Sequence, residues 1–581
     1  MKITLVTALA VGTMVASAAE APAIEGLWVG TLKADSGQPV PLSMTLPSST
    51  TSEVKLGLEK SASVTVDLGS GALWTGEASG HSDSIEGFYI QPGNAIGGQR
   101  MAHAVSLGSS DSKAWQGTAT PLAREFSVLM NIAPSTEKTW TATLMNPQRN
   151  ITGPARRYDL EIHESGESFL LNAGGNTFTA ATIDSEAERL RMGFGPIEEL
   201  VLERVPADSP FRTDFLGQPD RTGLTAPSAQ GAWPVGNVND AGFDQDALSK
   251  LIESIAIPGA MDQGPDMIHS LLVARGGKLV VEEYFRGNNK NTPHDIRSAG
   301  KTFASVLVGA LIQQGIDISG DSLLSQFVQV PYENSQQPIT VGHLLTHQSG
   351  LDCNDADSNS EGNEDTLWQL IDDPNFWHYT AGLTVVATPG TRYAYCSGGI
   401  NLVGAALKGA SGKSVLSLLQ KLLFEPLGFR HAYWNVMPNN EAYLGGGAHL
   451  RSRDLLKIGQ LYLDGGKWLG RQLIDPTWVK ESVAPIVEIT PETTGLSEQA
   501  FNNFYFGGTD GYAWHLHSIL VGEKTYKTYE ASGNGGQMVV VVPDLDLVVA
   551  MTGGNYMQGY IWGRWRQKIV GDGVAAALLS R

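Results

Sequence analysis

The sequence predicts a multidomain protein in which an N-terminal all-β domain is followed by an α/β domain. Three observations predict it. Residues 19–205 are rich in Gly, Ser and Thr and alternate between short strand patterns and turn sequences. Residues 206–235 contain five prolines among polar residues, which is typical of a linker. From residue 236 onward, apolar residues at helical spacing alternate with strands, which is typical of an α/β domain.

The composition excludes several classes of protein. The chain has 581 residues, with 40 basic and 60 acidic side chains and a formal net charge of −20. Such an acidic chain is a poor partner for nucleic acid, since nucleic-acid binding depends on basic surfaces. Hydrophobic residues make up 42% of the chain, enough apolar material to offset chain entropy, so intrinsic disorder is excluded.

Residues 1–18 are typical of an export signal. Lys2 supplies the positive end, the run from Ile3 to Val15 is apolar, and Ala16-Ser17-Ala18 offers small residues for cleavage. The apolar run is too short to span a bilayer, and no later run reaches that length. The sequence therefore predicts a periplasmic or secreted protein that has no transmembrane segment after removal of the signal.

The β-rich region is predicted from alternation and turns. Residues 27–32, 63–68 and 157–162 are candidate strands, and Gly69-Ser70-Gly71 is a turn signal. A barrel or a sandwich is therefore expected for residues 19–205, with an accessory role.

The region 236–581 has strands at both ends and helices between them. Hairpin turns are predicted at residues 275–278 and at Pro543-Asp544. Residues 245–255 and 298–314 have apolar positions at helical spacing, and a C-terminal helix is predicted over residues 560–579. We therefore expect one sheet that joins distant stretches of sequence, with helices packed against it.

Ser298-Ala299-Gly300-Lys301 at the start of the apolar helix is a candidate nucleophile motif. Residues three apart lie on one helical face, so the serine and the lysine are neighbours. A desolvated lysine can lose its proton and act as a base toward serine. The spacing alone is weak, because it recurs elsewhere in the chain; taken alone, a helix cap with a surface lysine is the simpler interpretation.

Three motifs in a fixed order make residues 240–581 resemble the serine β-lactamase and penicillin-binding-protein superfamily, in particular its esterase-like class C branch. The first motif is Ser298-Ala299-Gly300-Lys301. The second, Tyr395-Cys396-Ser397, is similar to Tyr-x-Asn, and the third, Asn534-Gly535-Gly536, stands where the superfamily has Lys-Thr-Gly or His-x-Gly. The resemblance implies a β-lactamase-like catalytic domain with an antiparallel sheet flanked by helices and a helical subdomain. It does not extend to residues 19–235.

The resemblance also implies the roles of the site residues. Ser298 is the acyl-accepting nucleophile, and Lys301 and Tyr395 share the general-base and general-acid work. The backbone N–H groups of Ser298 and Gln537 form the oxyanion hole. The two glycines of the third motif, Gly535 and Gly536, let the strand edge approach the substrate. No cofactor is expected.

Two departures from the superfamily bear on the substrate. Ser397 replaces the usual Asn, so an amide that holds the lysine and the substrate acyl group is shortened to a hydroxyl. Asn534 replaces Lys or His, so a positive charge that would pair with a β-lactam carboxylate is absent. Both favour a hydrolase of carboxylic esters, small amides or cell-wall-derived D-peptides over an efficient penicillin-hydrolysing enzyme. The alternative is a non-hydrolytic peptidoglycan- or lipid-binding protein that retains the penicillin-binding fold.

The two cysteines, Cys353 and Cys396, predict a disulfide. An even number of cysteines in an exported protein usually bridges. In the superfamily, the segment just before Cys353 lies near the active site, and Cys396 follows Tyr395 directly. We expect a bridge that clamps the Tyr395 loop; two separate buried thiols are the alternative.

Other polar clusters are interpreted as structural. His343 and His347 are four residues apart on a predicted helix but lack a third zinc ligand. The carboxylates between Asp352 and Asp365 lack the spacing of an EF-hand and are interpreted as a solvated acidic loop near the cleft. No metal site is predicted.

Overall fold

The computed structural model describes most of the chain. The described residues are 25–35, 38–44, 61–79, 84–93, 99–111, 114–136, 139–145, 156–163, 167–173, 176–184, 188–194, 197–206, 209, 223–229, 231–256, 266–329, 338–370, 375–504 and 507–579. The predicted export signal at residues 1–18 lies outside them. None of the helices within these ranges has the length and apolar character needed to cross a membrane.

The strands are numbered in chain order. The N-terminal strands are β1 (Gly26–Asp35), β2 (Val40–Met44), β3 (Ser61–Gly69), β4 (Ala72–Ser79), β5 (Ser84–Gln91), β6 (Met101–Asp111), β7 (Ala114–Ala119), β8 (Arg124–Pro134), β9 (Trp140–Met145), β10 (Arg156–Ile162), β11 (Ser168–Ala173), β12 (Asn176–Asp184), β13 (Arg189–Phe194) and β14 (Ile197–Arg204). The later strands are β15 (Ile268–Arg275), β16 (Lys278–Tyr284), β17 (His294–Asp295), β18 (Tyr433–Asn435), β19 (Ala448–Leu450), β20 (Lys467–Trp468), β21 (Arg471–Gln472), β22 (Val487–Glu488), β23 (Thr509–Asp510), β24 (His515–Val521), β25 (Lys524–Gly533), β26 (Gln537–Val542) and β27 (Leu547–Gly553).

The α-helices follow the N-terminal strands in the chain. They are α1 (Gln245–Ala256), α2 (Thr302–Gln313), α3 (Val341–Leu345), α4 (Glu364–Gln369), α5 (Phe376–Ala381), α6 (Ser397–Ser411), α7 (Val415–Leu418), α8 (Glu425–Leu427), α9 (Ser452–Leu463), α10 (Pro476–Ser482), α11 (Pro491–Thr494), α12 (Glu498–Phe504), α13 (Gly559–Trp562) and α14 (Ala576–Leu579). Short 3₁₀ turns cover Arg297–Lys301, Leu324–Gln326 and Pro543–Leu545, and π-helical segments cover Leu419–Phe424 and Arg566–Ala575.

The chain divides into two compact units. The first comprises the described residues up to Thr31 together with Val128–Met145 and Arg156–Pro206. The second contains Leu32–Ser127 and the chain from Ala207 onward. Residues 32–127 therefore group with the α/β region, whereas the sequence placed them with the rest of residues 19–205 in one β domain.

The first unit carries a closed antiparallel barrel with the strand order β1-β14-β13-β12-β11-β10-β9-β8. Side chains that alternate along the strands fill its interior, for example Leu190 of β13 and its cross-strand partner Leu202 of β14, both fully buried. The prediction of an all-β N-terminal region is confirmed, and β1 together with β8 to β14 forms a barrel.

The second unit contains the predicted antiparallel sheet, with the order β16-β15-β27-β26-β25-β24-β23-β22. Strand β15 pairs with β27, so the two ends of the α/β region meet, as the sequence predicted. Helices α2, α6 and α9 contribute to an apolar core cluster with β25 to β27, while α1 and the C-terminal segments join a second cluster with the same sheet. The predicted C-terminal helix is broken into α13, the π-helical segment and α14.

A second sheet in this unit explains why residues 32–127 group with it. Its order is β17-β19-β18-β6-β5-β4-β3, and β6 joins β18 through the pair Ala102 and Trp434. Arg100 donates to the carbonyl oxygens of Met437 and Pro438 and to Asn440 Oδ1, just beyond β18. Strand pairing between segments more than 300 residues apart is invisible in the composition of either segment.

Part of the predicted linker also belongs to this unit. The backbone N–H of Thr225 donates to Glu283 Oε1 at 2.6 Å, and Arg453 donates to the carbonyl oxygen of Ser228 at 2.9 Å. Thr225 therefore lies against β16, and Ser228 lies against α9.

Candidate active site

Ser298 lies in the 3₁₀ turn that precedes α2, and it is partly exposed. Arg297, just before it, has a φ of 49°, a left-handed conformation that is costly for a residue with a Cβ. The backbone N–H of Arg297 donates to Asp295 Oδ1 at 3.0 Å, which supports this conformation. Gly533 at the end of β25 packs against the turn, because a Cβ there would lie 3.0 Å from the N atom of Ser298.

Lys301 is buried directly beside Ser298, with 4% of its surface exposed. Its Nζ donates to Ser298 Oγ at 3.0 Å and to the carbonyl oxygen of Gly445, in the loop between β18 and β19. It is also hydrogen-bonded to the Tyr395 side chain. The three acceptors match the three N–H donors of an ammonium group.

The charge of Lys301 differs from the expectation of a neutral base. Burial alone would lower its pKa, but Tyr395, Glu364 and Asp355 act in the opposite direction, and the pKa is raised from its ordinary value. Lys301 is therefore an ammonium in the resting site.

Tyr395 completes the group of side chains that the sequence predicted around Ser298. Its side chain is hydrogen-bonded to both Ser298 and Lys301, and the Lys301 Nζ lies 4.9 Å from the centre of its ring. Burial raises the pKa of Tyr395 more than the neighbouring ammonium lowers it, so the group is a phenol in the resting site. The ring of His347 packs against it at 4.5 Å, and burial holds the pKa of that histidine down to about 3.

Ser397, which the sequence assigned to substrate or oxyanion binding, is fully buried at the start of α6. Its Oγ donates to Asp355 Oδ2 at 2.6 Å, and its backbone N–H donates to the same oxygen at 2.8 Å. The Ser397 hydroxyl therefore points to the Asp355 carboxylate.

The third motif packs against the loop that follows β27. The Asn534 amide donates to Met557 Sδ at 3.1 Å, and its Oδ1 accepts from the Met557 N–H at 2.7 Å. Gly535 and Gly536 have φ values of 98° and 93°, and a Cβ at either would collide with Tyr556 or Trp565. These glycines are required by their own conformation and packing; the close approach to Ser298 is made by Gly533.

Gln537, the predicted oxyanion-hole residue, begins β26 and is paired in register with Gly533. Its side chain donates to the Gly553 carbonyl oxygen at 2.7 Å and accepts from the Gly553 N–H at 3.1 Å, which fixes the start of the strand. The register therefore places Gln537 opposite Gly533, the residue that packs against the turn carrying Ser298.

Cys353 and Cys396 form the predicted disulfide, with Cα atoms 5.4 Å apart, and both residues are buried. The Asp355 N–H donates to the Tyr395 carbonyl oxygen at 2.8 Å, which is a second link between the same two segments. The bridge thus fastens the Tyr395 segment to the loop that carries Asp355.

Removing this bridge should destabilise the protein. The bond closes a loop with a sequence separation of 43 residues, for which loop entropy corresponds to roughly 3–4 kcal/mol. We expect the double variant Cys353→Ala, Cys396→Ser to show a lower urea midpoint by tryptophan fluorescence, with the serine preserving the cap of α6. Wild type in reducing agent should show the same loss; an unchanged midpoint in both would contradict a structural role.

Sequence reasoning missed three parts of this site. The Gly445 carbonyl, Asp355 and Glu364 come from loops and a helix start that the motifs do not include. Asp355 and Glu364 were interpreted as part of a solvated acidic loop, whereas the Glu364 carboxylate accepts from the buried Tyr443 hydroxyl at 2.7 Å. Composition could not separate them from Asp357, Glu361 and Asp365, which are exposed.

The two histidines singled out by spacing have structural roles. The His343 Nδ1 accepts from the Thr340 N–H at 3.3 Å, and the His347 Nδ1 accepts from the Cys396 N–H at 3.1 Å. Over the described part of the chain, no three His, Cys, Asp or Glu side chains are grouped to hold a metal ion.

Comparison with known proteins identifies the family. Residues 245–555 match the family model described as Beta-lactamase. The chain is 25% identical over 223 residues to the 6-aminohexanoate-dimer hydrolase of Paenarthrobacter ureafaciens, a match that covers 37% of this chain and 57% of that protein. It is 28% identical over 181 residues to the D-alanyl-D-alanine-carboxypeptidase/endopeptidase AmpH of Escherichia coli K12, covering 29% of this chain and 46% of that protein.

The chain spans about half the length of the curated relatives that it matches. Among solved structures, a penicillin-binding protein homolog from Caulobacter crescentus is similar with a TM-score of 0.40 and 16% identity, covering 53% of this chain and 91% of that chain. The family match covers more than half of the sequence and contains all three motifs. The resemblance drawn from those motifs is therefore confirmed, and the chain belongs to the beta-lactamase family of serine hydrolases.

Proposed function

We propose that the protein hydrolyses uncharged carboxylic esters or small amides through an acyl-enzyme on Ser298. The observation that carries this proposal is that the hydroxyl of the partly exposed Ser298 is hydrogen-bonded to both Lys301 and Tyr395. A serine with two proton-transfer groups at hydrogen-bonding distance is the arrangement that nucleophilic catalysis requires.

In the proposed reaction, the Lys301–Tyr395 pair must first lose one proton, because both groups are protonated in the resting site. Ser298 Oγ then attacks the substrate carbonyl carbon while its proton passes to the pair. The pair returns this proton to the leaving alcohol or amine as the carbonyl–leaving-group bond breaks. A water molecule attacks the acyl-enzyme in the same way and releases the acid.

The negative charge that develops on the carbonyl oxygen needs N–H donors. The backbone N–H groups of Ser298 and Gln537 are proposed for this role. Two observations support this assignment. Gly533 at the end of β25 packs against the turn that carries Ser298, and Gly533 is paired in register with Gln537.

The surroundings of Asn534 favour an uncharged substrate. Its amide is engaged by Met557 on both its donor and acceptor sides. Met557 lies in the loop after β27 and is 67% exposed, so it offers apolar surface beside the third motif. Tyr560, which follows in α13, is 62% exposed. Arg297, which lies over the Tyr556 ring, is paired with Asp295 at 3.0 Å. These features would bind an acyl chain or an apolar alcohol in preference to a carboxylate.

A comparison of substrates tests the proposed specificity. We expect p-nitrophenyl butyrate to be turned over about tenfold better than nitrocefin in kcat/KM, because Asn534 offers no positive charge to the nitrocefin carboxylate; this ratio corresponds to about 1.4 kcal/mol of transition-state binding. An Asn534→Lys variant should hydrolyse nitrocefin faster than the wild type, which would reduce the ratio of the two kcat/KM values. A D-alanyl-D-alanine peptide measured in parallel separates an esterase from a peptidase. Preferred hydrolysis of nitrocefin by the wild type would contradict the proposal, and no turnover of any of the three would favour a binding protein.

We also propose that the protein is exported to the periplasm or the cell exterior. The signal pattern of residues 1–18 supports this, and the Cys353–Cys396 bridge is compatible with an oxidising compartment. Fractionation of expressing cells, with N-terminal sequencing of the mature protein, tests it; an intact Met1 in the cytoplasmic fraction would contradict it.

A further inference from the structure

A partly buried carboxyl pair, Asp355 and Glu364, lies beside the proposed active site. We propose that these two residues are positioning residues that keep Lys301 in its ammonium form and thereby set the pH at which Ser298 becomes reactive. This inference rests on the proposed acyl-enzyme function and names residues of the same site. Neither belongs to the three motifs from which the family was predicted.

Asp355 connects the pair to the second motif. Its Oδ2 accepts both the N–H and the hydroxyl of Ser397, and its Oδ1 accepts the Glu364 N–H at 3.1 Å. Its own N–H donates to the Tyr395 carbonyl oxygen at 2.8 Å. One side chain therefore holds the starts of α6 and α4 together, next to the residue whose phenol contacts Ser298.

Glu364 connects the pair to the loop that holds Lys301. Its Oε1 accepts from the fully buried Tyr443 hydroxyl at 2.7 Å. Tyr443 lies two residues before Gly445, the residue whose carbonyl oxygen accepts from Lys301 Nζ. The carboxylate thus supports the loop that contacts the ammonium and adds a negative charge near it.

The ionisable groups that surround the pair come from several elements. They are Lys301 and Arg297 in the 3₁₀ turn, Tyr395 and Tyr443 in loops, and His347, which faces Tyr395 and Lys301. Burial and the neighbouring Glu364 raise the pKa of Asp355 to about 6, and Lys301 opposes this rise. Lys301 is the positive charge on which both carboxyl groups act, while His347 is neutral. Arg297, which is paired with Asp295, is a second cation that interacts with Glu364.

The sign of the effect follows from these charges. A negative charge favours the ammonium over the neutral amine, so removing one lowers the pKa of Lys301. Asp355 also raises the pKa of Tyr395, so removing the Asp355 carboxylate should lower the pKa of Tyr395 as well. Because the reactive form has lost one proton from the Lys301–Tyr395 pair, loss of either carboxylate should bring reactivity to a lower pH.

Labelling of the full chain by a fluorophosphonate as a function of pH tests the inference. We expect the alkaline rise in labelling rate to move to lower pH by about one unit in Glu364→Gln, which keeps an acceptor for Tyr443. Asp355→Asn should shift it in the same direction, although it also disturbs the contacts of Ser397. Glu361→Gln and Asp357→Asn are matched controls, because they remove exposed carboxylates from the same loop and should leave the profile unchanged.

A second measurement does not depend on activity. In protein labelled with ¹³C-lysine, the Lys301 signal can be assigned by its loss in Lys301→Met and then titrated. Its midpoint should fall in Glu364→Gln and stay in place in Glu361→Gln. Labelling and titration profiles that match the wild type in both pair variants would overturn the inference. Absence of labelling in the wild type at every pH would instead overturn the proposed function, while the titration would still decide the role of the carboxyl pair.

Discussion

Replacement of Ser298 by alanine is expected to abolish turnover and to leave the fold intact. The proposed acyl-enzyme forms on the Ser298 oxygen, which is the hydroxyl that both Lys301 and Tyr395 contact. Loss of the nucleophile of a serine hydrolase costs about a millionfold in kcat. Ester hydrolysis by Ser298→Ala should therefore be indistinguishable from the background rate, and a fluorophosphonate should add no mass to the peptide that contains residue 298.

The matched control is Ser305→Ala. Ser305 lies in α2, is fully buried, and loses the same oxygen atom on mutation. It should retain labelling and turnover, while Ser298→Ala should retain the near-ultraviolet circular dichroism of the wild type. Equal labelling of Ser298→Ala and wild type would show that another residue is the nucleophile, and the assignment of the site would be wrong.

The parts of the site that could be predicted are those fixed by short-range geometry or motif order. Ser298 and Lys301 share one turn of chain, so their contact follows from helical spacing once the turn forms. Tyr395 and Asn534 could be placed only through the order of three motifs in a known superfamily. Their spacing along the chain, about 100 residues and more, carries no geometric information by itself.

The parts that could not be predicted depend on long-range packing. The Gly445 oxygen reaches Lys301 only because the loop between β18 and β19 is held by sheet pairing. Asp355 and Asp357 are two residues apart and identical in chemistry, yet one bonds to Ser397 and the other is exposed. Burial decides which of them affects the site, and burial depends on the start of α6, which lies about 40 residues further along the chain.

The division of the N-terminal region was unpredictable for the same reason. Strands β1 and β8 close one barrel although they are separated by β2 to β7, and β6 pairs with β18 of the α/β region. Alternation of apolar residues predicts that a strand exists and which face is buried. It does not specify the partner strand. The sequence therefore indicated one β domain, where the structure has a barrel in the first unit and further strands that belong to the second unit with the α/β region.

Replacement of Lys301 by methionine is expected to lower the acylation rate by about a thousandfold, because positioned acid–base groups contribute on that scale. Methionine keeps most of the volume of the buried side chain but removes the donors to Ser298, Tyr395 and Gly445. Lys301→Arg keeps the charge, but a guanidinium does not give up a proton at accessible pH, so it should not restore activity. If charge alone were needed, Lys301→Arg would be active and Lys301→Met inactive. Stopped-flow release of p-nitrophenol, recorded from pH 6 to 10 for both variants, separates the two cases, and wild-type acylation in Lys301→Met would remove the lysine from the mechanism.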